Sequence, residues 1–204
     1  MLDINLEKNI NNKKININFK INNEIVVLKG KSGAGKTTIL NCISGFDIPE
    51  KGYIKINNEK IFCSDKGINH PVRNREIGYI FQNYGLFPHM KVKENIYFGL
   101  KNKKTKNFYY AEELINKFGI THLKEKYPSE ISGGEKQRVA IIRTLVTKPK
   151  VLLMDEPFSA LDEDTKEKAF FILNEYRKEN SLDIVLVTHN NDEIEKFSDK
   201  IINI

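Results

Sequence analysis

A chain of 204 residues, 40% hydrophobic and 29% charged, can bury a sizeable core and points to one domain, or one domain carrying a subdomain. The formal net charge is +6, but the lysines are scattered through segments such as Lys101-Asn102-Lys103-Lys104, without the interleaved aromatics that single-strand binders stack on bases. The charge therefore reads as a solvated face, and no nucleic acid is expected. Mean hydropathy is −0.46 and no apolar run reaches the roughly eighteen residues of a membrane span, so any membrane role is expected to be peripheral.

From the N-terminus, Met1-Leu2-Asp3-Ile4-Asn5 alternates like a strand and lacks the basic-then-apolar layout of a signal peptide, which predicts a cytosolic chain. Ile15, Ile17, Phe19 and Ile21 alternate in the same way, and Ile25-Val26-Val27-Leu28 is the continuous apolar run of a buried strand ending at Gly30. Helical spacing runs from Lys36 to Ser44. Tyr53–Ile56 and Lys60–Phe62 then flank Asn57-Asn58, a hairpin turn, and Ile77–Phe81 is a further strand leading into Gln82. Between about Val92 and Tyr127 no strand-like run occurs, and Ala111 to Phe118 has helical periodicity. The expectation is an inserted helical subdomain at about 92–134 within a single domain 1–204. A helix over Glu135–Val146, a strand over Val151–Met154, a helix near Glu163–Lys178 and a strand over Ile184–Val187 complete a βαβ-type alternation. Cys42 and Cys63 lie in core-like stretches and read as reduced thiols.

Gly30-Lys31-Ser32-Gly33-Ala34-Gly35-Lys36-Thr37 matches the P-loop pattern between a buried strand and a helix. Its glycines let backbone N–H groups converge on a phosphate chain, and the helix start adds its positive dipole end. In that pattern Lys36 reaches the β and γ phosphates, Thr37 ligates Mg²⁺ and Thr38 is placed to touch the α phosphate. Val151-Leu152-Leu153-Met154-Asp155-Glu156 delivers two acids at the carboxyl end of a buried strand, where open α/β sheets bind ligands. Asp155 is expected in the Mg²⁺ shell, and Glu156 as the general base for the attacking water. Ser132, Gly133 and Gly134 before a helix form a second anion site, and Ser132 is at the same time a helix N-cap.

Ser132-Gly133-Gly134-Glu135-Lys136-Gln137-Arg138 resembles the signature motif of ABC ATPases. The resemblance runs over essentially the whole chain: P-loop, Gln82, signature, Asp155-Glu156, Ser159-Ala160-Leu161-Asp162 and His189 follow in the family's order. It implies an α/β fold, a P-loop NTPase core with an antiparallel β lobe and an inserted helical subdomain. It further implies that Ser132, Gly133, Gly134 and Glu135 serve the γ-phosphate of an opposite subunit in an ATP-dependent homodimer. Ser159, Ala160, Leu161 and Asp162 become the D-loop, His189 the switch histidine on the γ-phosphate, and Gln82 the glutamine that senses Mg²⁺ and water. Asn83 to Met90 would face a membrane permease, itself served by a solute-binding protein, from the inner face of the membrane. Most members stack adenine on an aromatic upstream of the P-loop; the matching position here is Ile10.

Asn41–Phe46 and Phe81–His89 resemble importers, with a leaning toward the molybdate and related oxyanion branch. Because the sequence stops at Ile204, the regulatory barrel that many members of that branch carry is not expected. A soluble ABC ATPase acting on ribosomes or DNA would carry tandem cassettes or a coiled coil, for which there is no room; an exporter motor remains compatible with the motifs.

Overall fold

The computed structural model describes residues 1–10, 13–100 and 106–204; the lysine run at 101–104 lies outside them. The first elements in chain order are β1 (Leu2–Ile10), β2 (Lys13–Ile21), β3 (Ile25–Lys29), α1 (Lys36–Ser44), β4 (Lys51–Ile56), β5 (Glu59–Cys63), β6 (Ile68–Asn69) and β7 (Ile77–Ile80). Helices α2 (Val92–Tyr97), α3 (Lys106–Lys117) and α4 (Gly133–Leu145) follow, then β8 (Val151–Asp155), α5 (Glu163–Asn180), β9 (Asp183–Val187), α6 (Asn191–Phe197) and β10 (Lys200–Asn203). The chain divides into two units. One comprises Met1–Tyr79, Lys150–Glu156 and Arg177–Ile204, the other Ile80–Pro149 and Pro157–Tyr176.

Two sheets build the first unit. One has the order β2-β1-β4-β5-β6 and is antiparallel, with β1 and β2 in register from Leu2↔Ile21 to Ile10↔Lys13. Along β2 the isoleucines and Phe19 are buried and the residues between them exposed, the period of a strand with one wet face. Asn57 and Asn58 both take positive φ, 50° and 68°, as a two-residue hairpin turn requires and as asparagine tolerates.

The other sheet has the order β10-β3-β9-β8-β7, with β10, β3, β9 and β8 parallel. Both of its faces are covered, so β8 and β9 are buried at every residue and alternation disappears. One buried cluster contains Leu2, Ile4 and Leu6 of β1, Ile39, Leu40 and Ile43 of α1, and Val185 and Val187 of β9. This packing clamps α1, and with it the start of the glycine-rich loop, onto the sheets.

In the second unit, Ala111, Leu114, Ile115 and Phe118 are buried, the spacing of an amphipathic helix turned toward a core. Helix α4 begins at Gly133, two residues before the expected start, because Ser132 caps it: Ser132 Oγ accepts from the Glu135 N–H at 3.3 Å, and the Glu135 carboxylate accepts from the Ser132 N–H at 2.7 Å. Neither α6 nor β10 is foreseen from the sequence. The Asn190 side chain caps α6, accepting from Asp192 and Glu193 N–H groups, and β10 is a partly exposed edge strand whose pairing with β3 joins residues about 170 apart. Both cysteines are free and buried. Among the described residues no helix is long and apolar enough to cross a membrane.

Candidate nucleotide site

β3 ends where Gly30 begins the loop, and α1 starts at Lys36 behind Gly35, whose φ of 98° is open to glycine at little cost. No side chain caps that helix start, so its first N–H groups keep their capacity for an anion. Lys36 Nζ donates to the carbonyls of Gly30 and Lys31 at 2.9 and 3.0 Å, folding the cation over its own loop. Thr37, the next residue, donates its hydroxyl to Asp155 Oδ2 at 2.8 Å, joining the start of α1 to the end of β8 across 118 residues of sequence. Thr38 is half-buried in the same turn.

Asp155 is buried, with 6% of its surface exposed. Glu156 follows with φ of 50°, a costly backbone conformation for a non-glycine residue, held by its N–H donating to Val187 O at 2.9 Å. The turn brings Glu156 Oε1 to 2.8 Å from His189 Nδ1. His189 is largely exposed, and the hydrogen bond with Glu156, then that carboxylate's charge, raises its pKa above the ordinary histidine value. The first unit thus brings together Gly30 through Thr38, Asp155, Glu156 and His189.

A pocket of about 420 Å³ opens beside the loop, lined by Lys13, Lys29, Gly30, Lys31, Ser32, Gly33, Ala34, Asn203 and Ile204. No aromatic side chain is among them. Ile10, at the position expected to stack on adenine, packs instead against the loop: its Cδ1 and that of Ile15 lie 2.5 Å from where a Cβ on Gly35 would stand.

Gln82, Ser132–Glu135 and Ser159–Asp162 belong to the second unit. There Gly133 and Gly134 meet Ala160. A Cβ on Gly134 would stand 3.0 Å from Ala160 O, and one on Gly133 3.1 Å from the Tyr84 hydroxyl and 3.6 Å from the Ala160 Cβ. Close approach of the Ala160 backbone therefore favours a small residue at Gly134. The bond from the Ser132 N–H holds the Glu135 carboxyl below its usual pKa, and Asp162 accepts from the N–H and hydroxyl of Thr165, at 2.9 and 2.8 Å, at the start of α5.

Gln82 is exposed at the head of the loop 83–90. Two residues outside the sequence-based set pin that loop. Asn95, fully buried, accepts from the Phe87 N–H at 2.8 Å and donates to the carbonyls of Phe87, Met90 and Lys91. Arg143 donates to the carbonyls of Gly85 and Tyr84 at 2.7 and 3.1 Å. A polar residue between the buried Val92 and Ile96, on the inward face of α2, was the available signal for Asn95.

A strand, a glycine-rich loop and a helix start, with a threonine and an aspartate converging beside them, define a P-loop nucleotide-binding protein. Residues 14–159 match the family described as ABC transporter, and the chain belongs to that family. The molybdenum import ATP-binding proteins ModC of Haemophilus ducreyi and Haemophilus influenzae are each 40% identical over 203 residues, 99% of this chain and 57% of theirs. The chain thus spans a little over half the length of the curated relatives it matches. A dimeric ATP-binding cassette solved in a post-hydrolysis state with ADP and Pi superposes with a TM-score of 0.80 at 29% identity, covering 100% of this chain and 94% of that one. The α/β architecture expected from sequence, an NTPase core with an antiparallel lobe, is the one observed.

Proposed function

We propose that this chain binds and hydrolyses ATP with Mg²⁺ between two copies of itself and drives a separate membrane permease. The observation that carries the reading is the 2.8 Å bond from Thr37 to Asp155, with Glu156 next in sequence and its carboxylate on His189. A threonine hydroxyl and a buried carboxylate at one point are an oxygen-only donor set suited to a small hard cation that keeps waters and phosphate oxygens in its shell. Thr37 and Asp155 would hold Mg²⁺, which when bound offsets charge developing on the γ-phosphate; Gln82 is proposed as a further ligand on the family resemblance alone.

Within the chain, loop amides of Gly30 through Gly35 and the Lys36 ammonium bind the phosphate chain, and Thr38 contacts the α phosphate. Glu156 accepts the proton of the attacking water, and His189, in leaving Glu156 for the γ-phosphate, exposes that carboxylate to it. Ser132, Gly133, Gly134 and Glu135 close over the γ-phosphate held by the partner chain, and Ser159 through Asp162 carry that closure between the sites. The loop 83–90, which precedes a helical subdomain at about 92–134, receives the permease at the inner membrane face. The names of the relatives support an importer of molybdate or a similar oxyanion, supplied by a solute-binding protein.

The shared site is tested by making Lys36→Ala and Ser132→Arg separately. Each homodimer then has a defect in both sites and should be nearly inactive, while a mixture forms heterodimers with one intact site. Partial recovery of ATPase activity on mixing is the expected result. Absence of recovery in demonstrated heterodimers, together with no ATP-dependent cross-link between cysteines placed near Ser32 and Ser132 of different chains, would remove the shared-site reading. For the solute, ATPase activity of the chain reconstituted with the permease that co-purifies should rise with molybdate more than with phosphate.

A further inference from the structure

The pocket beside the glycine-rich loop has a cationic rim that the family's motifs do not account for. One of its lining residues is Lys13, which opens β2 and pairs with Ile10 of β1. Neither Ile10 nor Lys13 offers an aromatic ring to a base. What Lys13 offers follows from the strand period. Lys13 shares a face of β2 with Ile15, Ile17 and Phe19, all buried, and Ile15 touches the loop at Gly35. One pleat repeat beyond Ile15, Lys13 is carried to the pocket, which it lines together with Lys29, Lys31 and the loop residues Gly30 through Ala34. Lys14 has the opposite facing and is paired with Glu7 at 2.7 Å. Lys29 also turns outward from β3, donating to Asn191 Oδ1 at 3.4 Å.

We propose that Lys13, supported by Lys29 and Lys31, is a further nucleotide-binding residue that contacts the phosphate chain from the hairpin side, so that this chain takes purine nucleoside triphosphates with little selection for the base. The inference rests on the nucleotide-site reading above and deepens it. Stacking on an aromatic ring distinguishes a nucleotide from its bare phosphates, because the ring meets the base. A lysine cluster meets charge, which all nucleoside triphosphates share and which tripolyphosphate carries with one further ionisable oxygen in place of the ester. Ile10, half-buried against the loop, carries no hydrogen-bonding side-chain group that could read the edge of a purine.

The test is equilibrium competition against a fluorescent ATP analogue, using Mg-ATP, Mg-GTP and Mg-tripolyphosphate. All three should compete, with dissociation constants within about tenfold of one another. Lys13→Ala should weaken all three by a similar factor, roughly three- to tenfold as for a partly solvated charge contact, while Lys13→Arg restores them and Lys14→Ala leaves them unchanged. ATP binding with GTP or tripolyphosphate weaker by about a hundredfold or more would overturn the proposal and leave the nucleotide site standing. Unchanged binding in Lys13→Ala would also overturn it. Failure of ATP itself to bind would remove the nucleotide-site reading, and this proposal with it.

Discussion

The two units hold their candidate residues by different means. In the first, reactive side chains bond to one another, Thr37 to Asp155 and Glu156 to His189, while the Lys36 ammonium rests on carbonyls of its own phosphate-binding loop. In the second, the residues of interest are spent on backbone: Ser132 and Glu135 cap α4, Asp162 binds Thr165 at the start of α5, and Asn95 and Arg143 hold the loop 83–90. Bonds of the first kind are ones a nucleotide can exchange for its own, so they organise the site without locking it. Those of the second kind satisfy helix ends and loop carbonyls whether or not a ligand is present. Substitutions in the first unit should therefore separate chemistry from stability, and substitutions in the second should join them.

The largest effect is expected at Glu156. Glu156→Gln keeps the shape of the turn and the possibility of a hydrogen bond to His189 but removes the base, so turnover should fall by roughly two to four decades with ATP affinity retained. Steady-state ATPase rates beside equilibrium binding decide it; unchanged turnover would take Glu156 out of the role. Next is Asn95→Ala, which strips partners from the Phe87 N–H and from three carbonyls around a buried side chain and should cost about 2–4 kcal/mol in denaturant unfolding. A loss below about 0.5 kcal/mol would mean that the loop does not depend on that side chain.

Ser132→Ala sharpens the comparison from the capping side. Losing the hydroxyl cap should cost about 1 kcal/mol of stability, and, if the second anion site exists, ATPase activity should fall as well. A stability loss with full activity would leave Ser132 a cap and nothing more.

The smallest effect concerns His189. Its pKa is raised by Glu156, so any stability contributed by that pair is fully present below the unfolded histidine value of about 6.5 and is lost as pH rises through the higher folded value. A titration of the His189 ring followed by NMR should show a midpoint above that of an unperturbed histidine, moving down in Glu156→Gln. The same midpoint in both proteins would show that the contact has no electrostatic weight.

Much of the first unit was legible because its signals are local and regular. The alternation from Ile15 to Ile21, the run Ile25–Leu28, the Asn57-Asn58 turn and the helix from Lys36 each depend on a few consecutive residues, and each is found where expected. Helix α4 was placed two residues late because glycines are weak helix formers by propensity, whereas the Ser132–Glu135 box starts the helix through hydrogen bonds. Strand β10 escaped notice because its stabilising partner, β3, is remote in sequence. Asn95 and Arg143 were missed for a related reason: their value lies in carbonyls of a loop that only folding brings within reach.

By itself the sequence determined which chemical groups exist and in what order: a glycine-rich loop after an apolar strand, paired acids after another, a serine and two glycines before a helix. Those patterns carry meaning locally, since phosphate binding, helix capping and strand burial each depend on residues a few positions apart. Only the tertiary structure decided which groups touch. Parallel pairing of β3, β9 and β8 sets their carboxyl ends side by side, and this joins Thr37 to Asp155 and Glu156 to His189 across 118 and 33 residues. The facing of Lys13 toward the loop was settled in the same way. It follows from the register of β2 against β1 and from the packing of Ile15 on Gly35, and a sequence can state the period of a strand without stating what lies opposite its face.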